Sequence, residues 1–384
     1  MRPSSKRRCR AGILTVAAVM AACTASPSAA SPQAAVRLAC TTLTVASTPG
    51  AGPSGPRSPL DMPSVPGGLF DIAARSASNA WAVGAALPTP ARSRALAAHW
   101  NGKVWRTVNS RALPPESALN AVALFPGGEW AVGEAGMAQH GRVSRELIVR
   151  LTGTAVRQVQ VRGSAESGLA DVVATSAANA WAVGSTGITP LILHWNGTAW
   201  KRAPLPAAVG SGFVTGVAAT SATNAWAVMT PSARGTPRIV HWNGRRWGDV
   251  VRPAIGMSYD LRGVAATSAK NAWAVGTTGS RAVILHWNGR RWTCALSPKI
   301  NDFPHLNAVS ASSADNAWAV GGYDTATLAL HWNGHKWKQV MPPQPGQVNL
   351  LEGVAVIPQS GHAWAVGSTD HATLMLHWNG TAWH

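Results

Sequence analysis

Acidic residues are scarce in this chain of 384 residues: 15 Asp and Glu stand against 33 Lys and Arg, a formal net charge of +18. Tyrosine is nearly absent, with only Tyr259 and Tyr323, and there are four cysteines. Each shortage narrows the chemistry. Hydrolysis of a glycoside ordinarily needs two carboxylates flanking the bond, and few are available. The cysteines lack the close pairing of a structural zinc site. The longest early apolar run, Ala11 to Ala22, is too short to span a bilayer, and no later stretch qualifies. No G-x-S-x-G, H-E-x-x-H or phosphate-loop pattern occurs, so the common signatures of serine hydrolases, zinc proteases and P-loop enzymes are missing.

What the chain does have is repetition. A pattern N-A-W-A-V-G, a variable gap, then L-x-L-H-W-N-G-x-x-W recurs seven times, with its first Trp at Trp81, Trp130, Trp181, Trp226, Trp273, Trp318 and Trp364. Spacings of 45 to 51 residues mark a repeat architecture.

The third copy shows the local logic. Leu169 to Thr175 is short, small-residue and β-prone. Asn179 to Gly184 alternates Trp181 and Val183 against Ala180 and Ala182, the period of a strand. Leu191 to Trp195 is a third strand. Asn196-Gly197 reads as a two-residue hairpin turn leading to a fourth. In that register Trp195 faces Thr198 and Leu193 faces Trp200, which puts Leu193, Trp195 and Trp200 on one sheet face and His194 on the other. Four antiparallel strands per copy cannot bury both faces alone, so the copies must stack. The first strand carries Gly, Ala, Val and Ser, as in Gly216 to Ala219, and the later strands carry the indoles. Small residues suit a crowded axis and large ones a widening rim. The expected fold is all-β, a seven-bladed β-propeller of four-stranded antiparallel blades.

The run Trp318-Ala319-Val320-Gly321-Gly322, followed by Trp337-Lys338-Gln339-Val340-Met341-Pro342-Pro343, resembles kelch repeats. The pattern is also similar to repeats of secreted actinobacterial proteins of unknown role and, more distantly, to sialidase-type propellers. Most copies carry one Gly where kelch has two, and H-W-N-G replaces the kelch Tyr-Asp segment. The resemblance implies a propeller over the last four-fifths of the chain and says little about activity. Sialidase-like chemistry would want a Tyr and an Arg cluster, and oxidase chemistry of the galactose-oxidase kind a convergent Tyr/His copper site; neither pattern is evident. No cofactor and no metal are expected.

The N-terminus reads as an export signal, residues 1–22, with a basic start (Arg2, Lys6, Arg7, Arg8, Arg10) and a short apolar stretch. Cys23 after Met20-Ala21-Ala22 resembles a bacterial lipobox, so Cys23 is the expected lipidation site; cleavage near Ala30 and free secretion is the alternative. Residues 23–66, rich in Ser, Pro, Ala and Gly, read as a tether, with the propeller over 67–384. Within the tether, residues 41–49 match the outer-strand pattern and are expected to close the ring in the last blade, whose own outer strand stops at Trp383-His384. A Cys40–Cys294 disulfide is the competing arrangement, because Cys294 lies in the fifth blade.

The 19 Trp are all used by the repeat, which leaves none for a dedicated sugar platform. The recurrent His99, His194, His241, His286, His331 and His377 fall on different blades and cannot converge on a metal; they are expected to bridge backbone or Ser/Thr groups between blades. The loops joining strands one and two, and three and four, are nearly constant and share one face. The other loops vary and share the opposite face, where binding is expected. The candidate site there comprises Phe70, Asp71, Asn120, Asp171, Phe213, Tyr259, Arg262, Phe303, Asn307, Tyr323 and Glu352. Basic pairs on the constant face (Arg245-Arg246, Arg290-Arg291, His335-Lys336) suit an anionic polymer or simply solvated turns. The second copy has Arg150-Leu151-Thr152-Gly153 in place of H-W-N-G and a longer loop with Glu134, His140, Arg142, Arg145 and Glu146; drift and a partner-contact blade both account for it. The function expected from these features is extracytoplasmic, non-catalytic binding or scaffolding by a monomer. The partner would be a protein or an anionic cell-envelope polymer, with the membrane reached only through a lipid anchor and no nucleic acid bound. A glycan-active hydrolase or oxidase, or a periplasm-type assembly factor, is the alternative.

Overall fold

The computed structural model describes residues 65–384 apart from 90–91, 137–143, 154, 162–165, 233–234, 256–258 and 371. Cys23, Cys40, the proposed closing strand at 41–49, His140 and Arg142 lie outside the described residues. Seven antiparallel sheets form seven blades, six of four strands and one of three. Blade 3 is typical: Ser167–Ser176 innermost, then Asn179–Thr186, Thr189–Trp195 and the short outer strand Trp200–Arg202.

Small inner residues are a steric necessity. A Cβ on Gly353 would lie 2.7 Å from the Asp71 backbone of the neighbouring blade, and one on Gly263 would lie 3.1 Å from Ala308. The Gly that ends A-W-A-V-G has a related cause. Every inner strand is bulged at one residue opposite the end of the second strand, between Leu169 and Asp171 in blade 3. There a Cβ on Gly184 would meet the Gly168 carbonyl oxygen at 2.0 Å.

Indoles join the blades around the rim. The second-strand Trp of one blade packs on the two outer Trp of the next: Trp273 lies 4.9 Å from Trp332 and 5.1 Å from Trp337, the latter edge-on. Trp364 of blade 7 meets Trp100 and Trp105 of blade 1 at 5.5 and 5.3 Å, so the same contact closes the ring. Such pairs contribute about 0.5–1.5 kcal/mol each beyond area burial. Only Trp81 meets no such pair, because blade 2 offers Leu151 and Val156 instead.

Two local expectations are corrected. The turn after Trp195 has four residues, with Trp195 opposite Trp200 and Leu193 opposite Arg202. The Asn196 side-chain oxygen accepts from the Thr198 and Ala199 amides at 3.1 and 3.0 Å. Only Gly197 takes a positive φ, whereas the two-residue turn needs two. The shift is by two positions, so Leu193, Trp195 and Trp200 still share a face. Five of the six repeated His residues (His99, His194, His241, His286 and His331) bond within their own blade, to the Asn of N-A-W, and not between blades. His194 Nε2 is 2.8 Å from Asn179 Oδ1, and the Asn179 amide donates to Thr175 Oγ1 at 2.7 Å. His194 also stacks on Trp181 at 4.1 Å.

Blade 2 replaces this pair as a unit. Where Asn and His stand elsewhere it has Gly128 and Arg150; a Cβ on Gly128 would lie 2.5 Å from the Arg150 guanidinium, which sits 4.5 Å over Trp130. Burial pushes the Glu129 carboxyl up, against the opposing pull of Arg150 and Arg75.

Among the described residues the seventh sheet, Asn349–Val356, Ala363–Thr369 and Ala372–Trp378, has no full outer strand. At one end of its edge, His377 and His384 exchange backbone hydrogen bonds of 3.0 Å. At the other end, Thr373 donates to the Val65 carbonyl at 3.1 Å and Pro66 bridges Ala372. Residues from both ends of the propeller thus share one edge.

Candidate binding site

The bulge in each inner strand decides what reaches the mouth of the ring. A bulge leaves one residue unpaired and re-aims its side chain. Around the seven blades that residue is Phe70, Asn120, Ala170, Thr215, Arg262, Asn307 and Glu352. Five of the sequence candidates are therefore equivalent positions on one ring.

Several of these side chains stitch neighbouring blades. Asn120 donates to the Leu169 carbonyl at 2.8 Å, Thr215 to Leu261 at 2.7 Å and Asn307 to Leu351 at 3.0 Å. Arg262 donates to Asn307 Oδ1 at 2.6 Å. Asp71 and Asp171, one residue beyond the bulge, accept from the amides of Val122 (2.9 Å) and Val217 (2.7 Å) in the next blade. These two carboxylates hold the ring together and do not line the main cavity.

That cavity, of about 460 Å³, opens on the variable-loop face over blades 4 to 7. Of the sequence candidates, Phe213, Arg262, Phe303, Asn307 and Glu352 line it. Phe303 is 74 % exposed and held at φ 57° in the loop entering blade 6. Val348, also exposed, and Leu350 extend the apolar wall. Tyr259 is elsewhere, buried in the core between blades 4 and 5, where burial raises its phenol against the opposing pull of Arg252. Tyr323 packs half-buried between blades 5 and 6. Phe70 lies on the opposite side of the mouth against Ala85 and Ala118.

Sequence reasoning missed Asp260, His305, Asp324 and Asp370, which line the same cavity. Asp370 accepts from the Gln347 and Val348 amides at 3.1 and 3.0 Å and so fixes the loop bearing Val348. Burial depresses the His305 imidazole, the Arg262 charge adds to this, and a hydrogen bond with the Phe303 backbone opposes it. The signal was partly visible: Asp260 and His305 directly precede the invariant apolar residue of their inner strands, two positions before Arg262 and Asn307.

Among the described residues no group of three metal-binding side chains occurs, and no helix is long and apolar enough to cross a membrane. Cys294 is exposed in the outer strand of blade 5 and has no disulfide partner among the described residues.

No family model and no curated protein matches the chain. Solved propellers do. YCF48 bound to D1 peptide aligns at 14% identity and a TM-score of 0.55, over 85% of this chain and 97% of that one. The propeller domain of the Trilobed protease from Pyrococcus furiosus, described as having an open velcro topology, aligns at 9% identity and a TM-score of 0.51, over 82% and 96%. The GH74 xyloglucanase from Xanthomonas campestris aligns at 12% identity and a TM-score of 0.55, over 83% of this chain and 54% of that one. The likeness is one of fold. These neighbours include a peptide-bound protein, part of a protease and a glycoside hydrolase, and function lives in the site grafted on the scaffold.

Proposed function

We propose that this is an exported, non-catalytic binding protein that holds a segment of a partner protein in the mouth over blades 4 to 7. The observation that carries this reading is the cavity itself: an open site with apolar and polar walls, built from strand ends and the variable loops beside them, with the aromatic ring of Phe303 left in solvent. Exposed aromatic anchors beside convergent polar groups are what binding sites spend stability on. The basic, apolar N-terminus supports export, and Cys23 after Met20-Ala21-Ala22 supports lipid anchorage. The protein-binding reading is tested by capture from cell-envelope fractions with the mature chain and with the Phe303→Ala/Asn307→Ala variant. Partners retained by the first and lost by the second support it; an identical set on both removes this mouth from the site. Palmitate labelling that persists in Cys23→Ser would end the lipid-anchor reading.

One observation favours a second reading, a glycan hydrolase: Asp260, Asp324, Glu352 and Asp370 bring four carboxylates to one cavity, and paired carboxylates are the machinery of glycoside cleavage. Release of reducing sugar from a polysaccharide panel, abolished in Asp260→Asn/Glu352→Gln, would establish it in place of the first.

A further inference from the structure

The charge of the cavity runs against the charge of the chain. Basic residues outnumber acidic ones by more than two to one overall. Yet four carboxylates line this cavity against a single guanidinium, Arg262, which hydrogen-bonds Asn307. The one imidazole, His305, is held toward its neutral form by burial. The Asp260 and Asp324 side chains make no hydrogen bond or ion pair with any described residue, whereas Asp370 is committed to its loop. The basic pairs Arg245-Arg246 and Arg290-Arg291 sit in the constant turns on the other face of the ring. An anionic polymer is therefore a poor match for the mouth, and a cation is a good one.

The apolar wall defines the rest of the ligand. Phe303 and Val348 stand exposed beside the acids, and Phe213 and Leu350 lie deeper. A Lys or Arg side chain buries an aliphatic stem while keeping its charged head among polar groups, and an aromatic face also attracts a cation. Resting on the protein-binding reading above, we propose that the cavity takes a polypeptide segment by a Lys or Arg side chain. The cationic head meets Asp260 and Asp324, and the adjoining apolar residue of the segment lies on Phe303 and Val348. Charge complementarity in such a site acts mainly on specificity, by rejecting acidic competitors.

The test uses the mature chain and arrayed short peptides that differ at one position, Lys, Arg, Gln or Glu, next to a Leu. Dissociation constants of the best binders are then measured by fluorescence anisotropy. Lys and Arg peptides are expected to bind at least about tenfold tighter than their Gln counterparts, with Glu weakest. The preference should shrink as salt is raised, because the site opens to solvent. Asp260→Asn/Asp324→Asn should abolish the preference, and an unchanged urea unfolding midpoint would show the variant to be folded. Gln peptides binding as tightly as Lys peptides, or a preference that survives the double variant, would overturn the cation assignment and leave the protein-binding reading intact. No peptide of any composition binding at the mouth would overturn both.

Discussion

The two halves of the mouth share a backbone and differ in what fills it. On the side of blades 1 to 3, Phe70 packs on Ala85 and Ala118, and Glu134 lies buried against Gly168. On the side of blades 4 to 7 the equivalent positions carry Thr215, Arg262, Asn307 and Glu352 around a cavity of about 460 Å³. Both halves keep the bulge and the second-strand Trp and, blade 2 apart, the rim indoles. A propeller can therefore open a site on part of its circumference by changing only the residues flanking one buried position per blade.

The sharpest way to break this comparison is to attack the shared backbone. Gly184→Ala in the closed half and Gly276→Ala in the open half would place a methyl 2.0 and 1.9 Å from a carbonyl oxygen of the inner strand. Each is expected to cost about 3 kcal/mol or more by urea unfolding. Unequal losses would mean that the halves differ in backbone as well as in side chains.

Phenylalanine separates the halves next. Phe70 is half-buried, so Phe70→Ala should lose roughly 2 kcal/mol, below the ~3–5 kcal/mol of a core Phe. Phe303→Ala in the open half should change stability by less than about 0.5 kcal/mol and act on binding alone. A large stability loss at Phe303 would make it a packing residue and weaken its assignment to the site.

A smaller effect probes the Thr–Asn–His relay, present in both halves. Asn179→Ala leaves His194 Nε2 without its partner and should cost about 1–2 kcal/mol in thermal or urea unfolding. An unchanged midpoint would show that stacking on Trp181 alone holds the imidazole.

The smallest expected effect is a pH dependence centred on blade 7. There His362 replaces the relay Asn, with its ring 5.2 Å from that of His377. Burial, with added repulsion from His362 and His384, lowers His377 from 6.5 to about 4. Between those values the unfolded chain binds more protons than the folded one, so this contribution is whole above about pH 6.5 and drains as pH falls toward 4. His362→Asn restores the acceptor found in the other blades and should reduce the drop in melting temperature on acidification. An identical drop in the variant would place the acid sensitivity elsewhere.

Much of the fold was written in the repeat, because blade packing depends on equivalent positions that recur every 45 to 51 residues. The inner Gly and Ala, the indole positions and the constant turns could be read that way. The Asn partner of five of the six repeated His residues was equally visible in hindsight, since both change together in blade 2, to Gly128 and Arg150. The candidate cavity was harder. Its acids come from two inner strands and two variable loops, and a single sequence does not say which loops lean inward. Asp71 and Asp171 illustrate the difficulty. They stand near the axis as their positions suggested, but amides of the next blade claim them, and those amides are anonymous in sequence. The Asn-Gly turn misled for a similar reason: its geometry is set by two amides captured by the Asn196 side chain.

The shared edge of blade 7 has a practical corollary. Val65 and His384 both pair with the strand Ala372–Trp378, Val65 through Thr373 and His384 through His377. A short peptide bridge between them would make the circle covalent, and the chain could then be reopened in the constant turn of any other blade. Such rearranged versions would carry the mouth unchanged while moving the chain ends around the rim, which would show whether a ligand approaches past the N-terminal side of blade 7 or away from it.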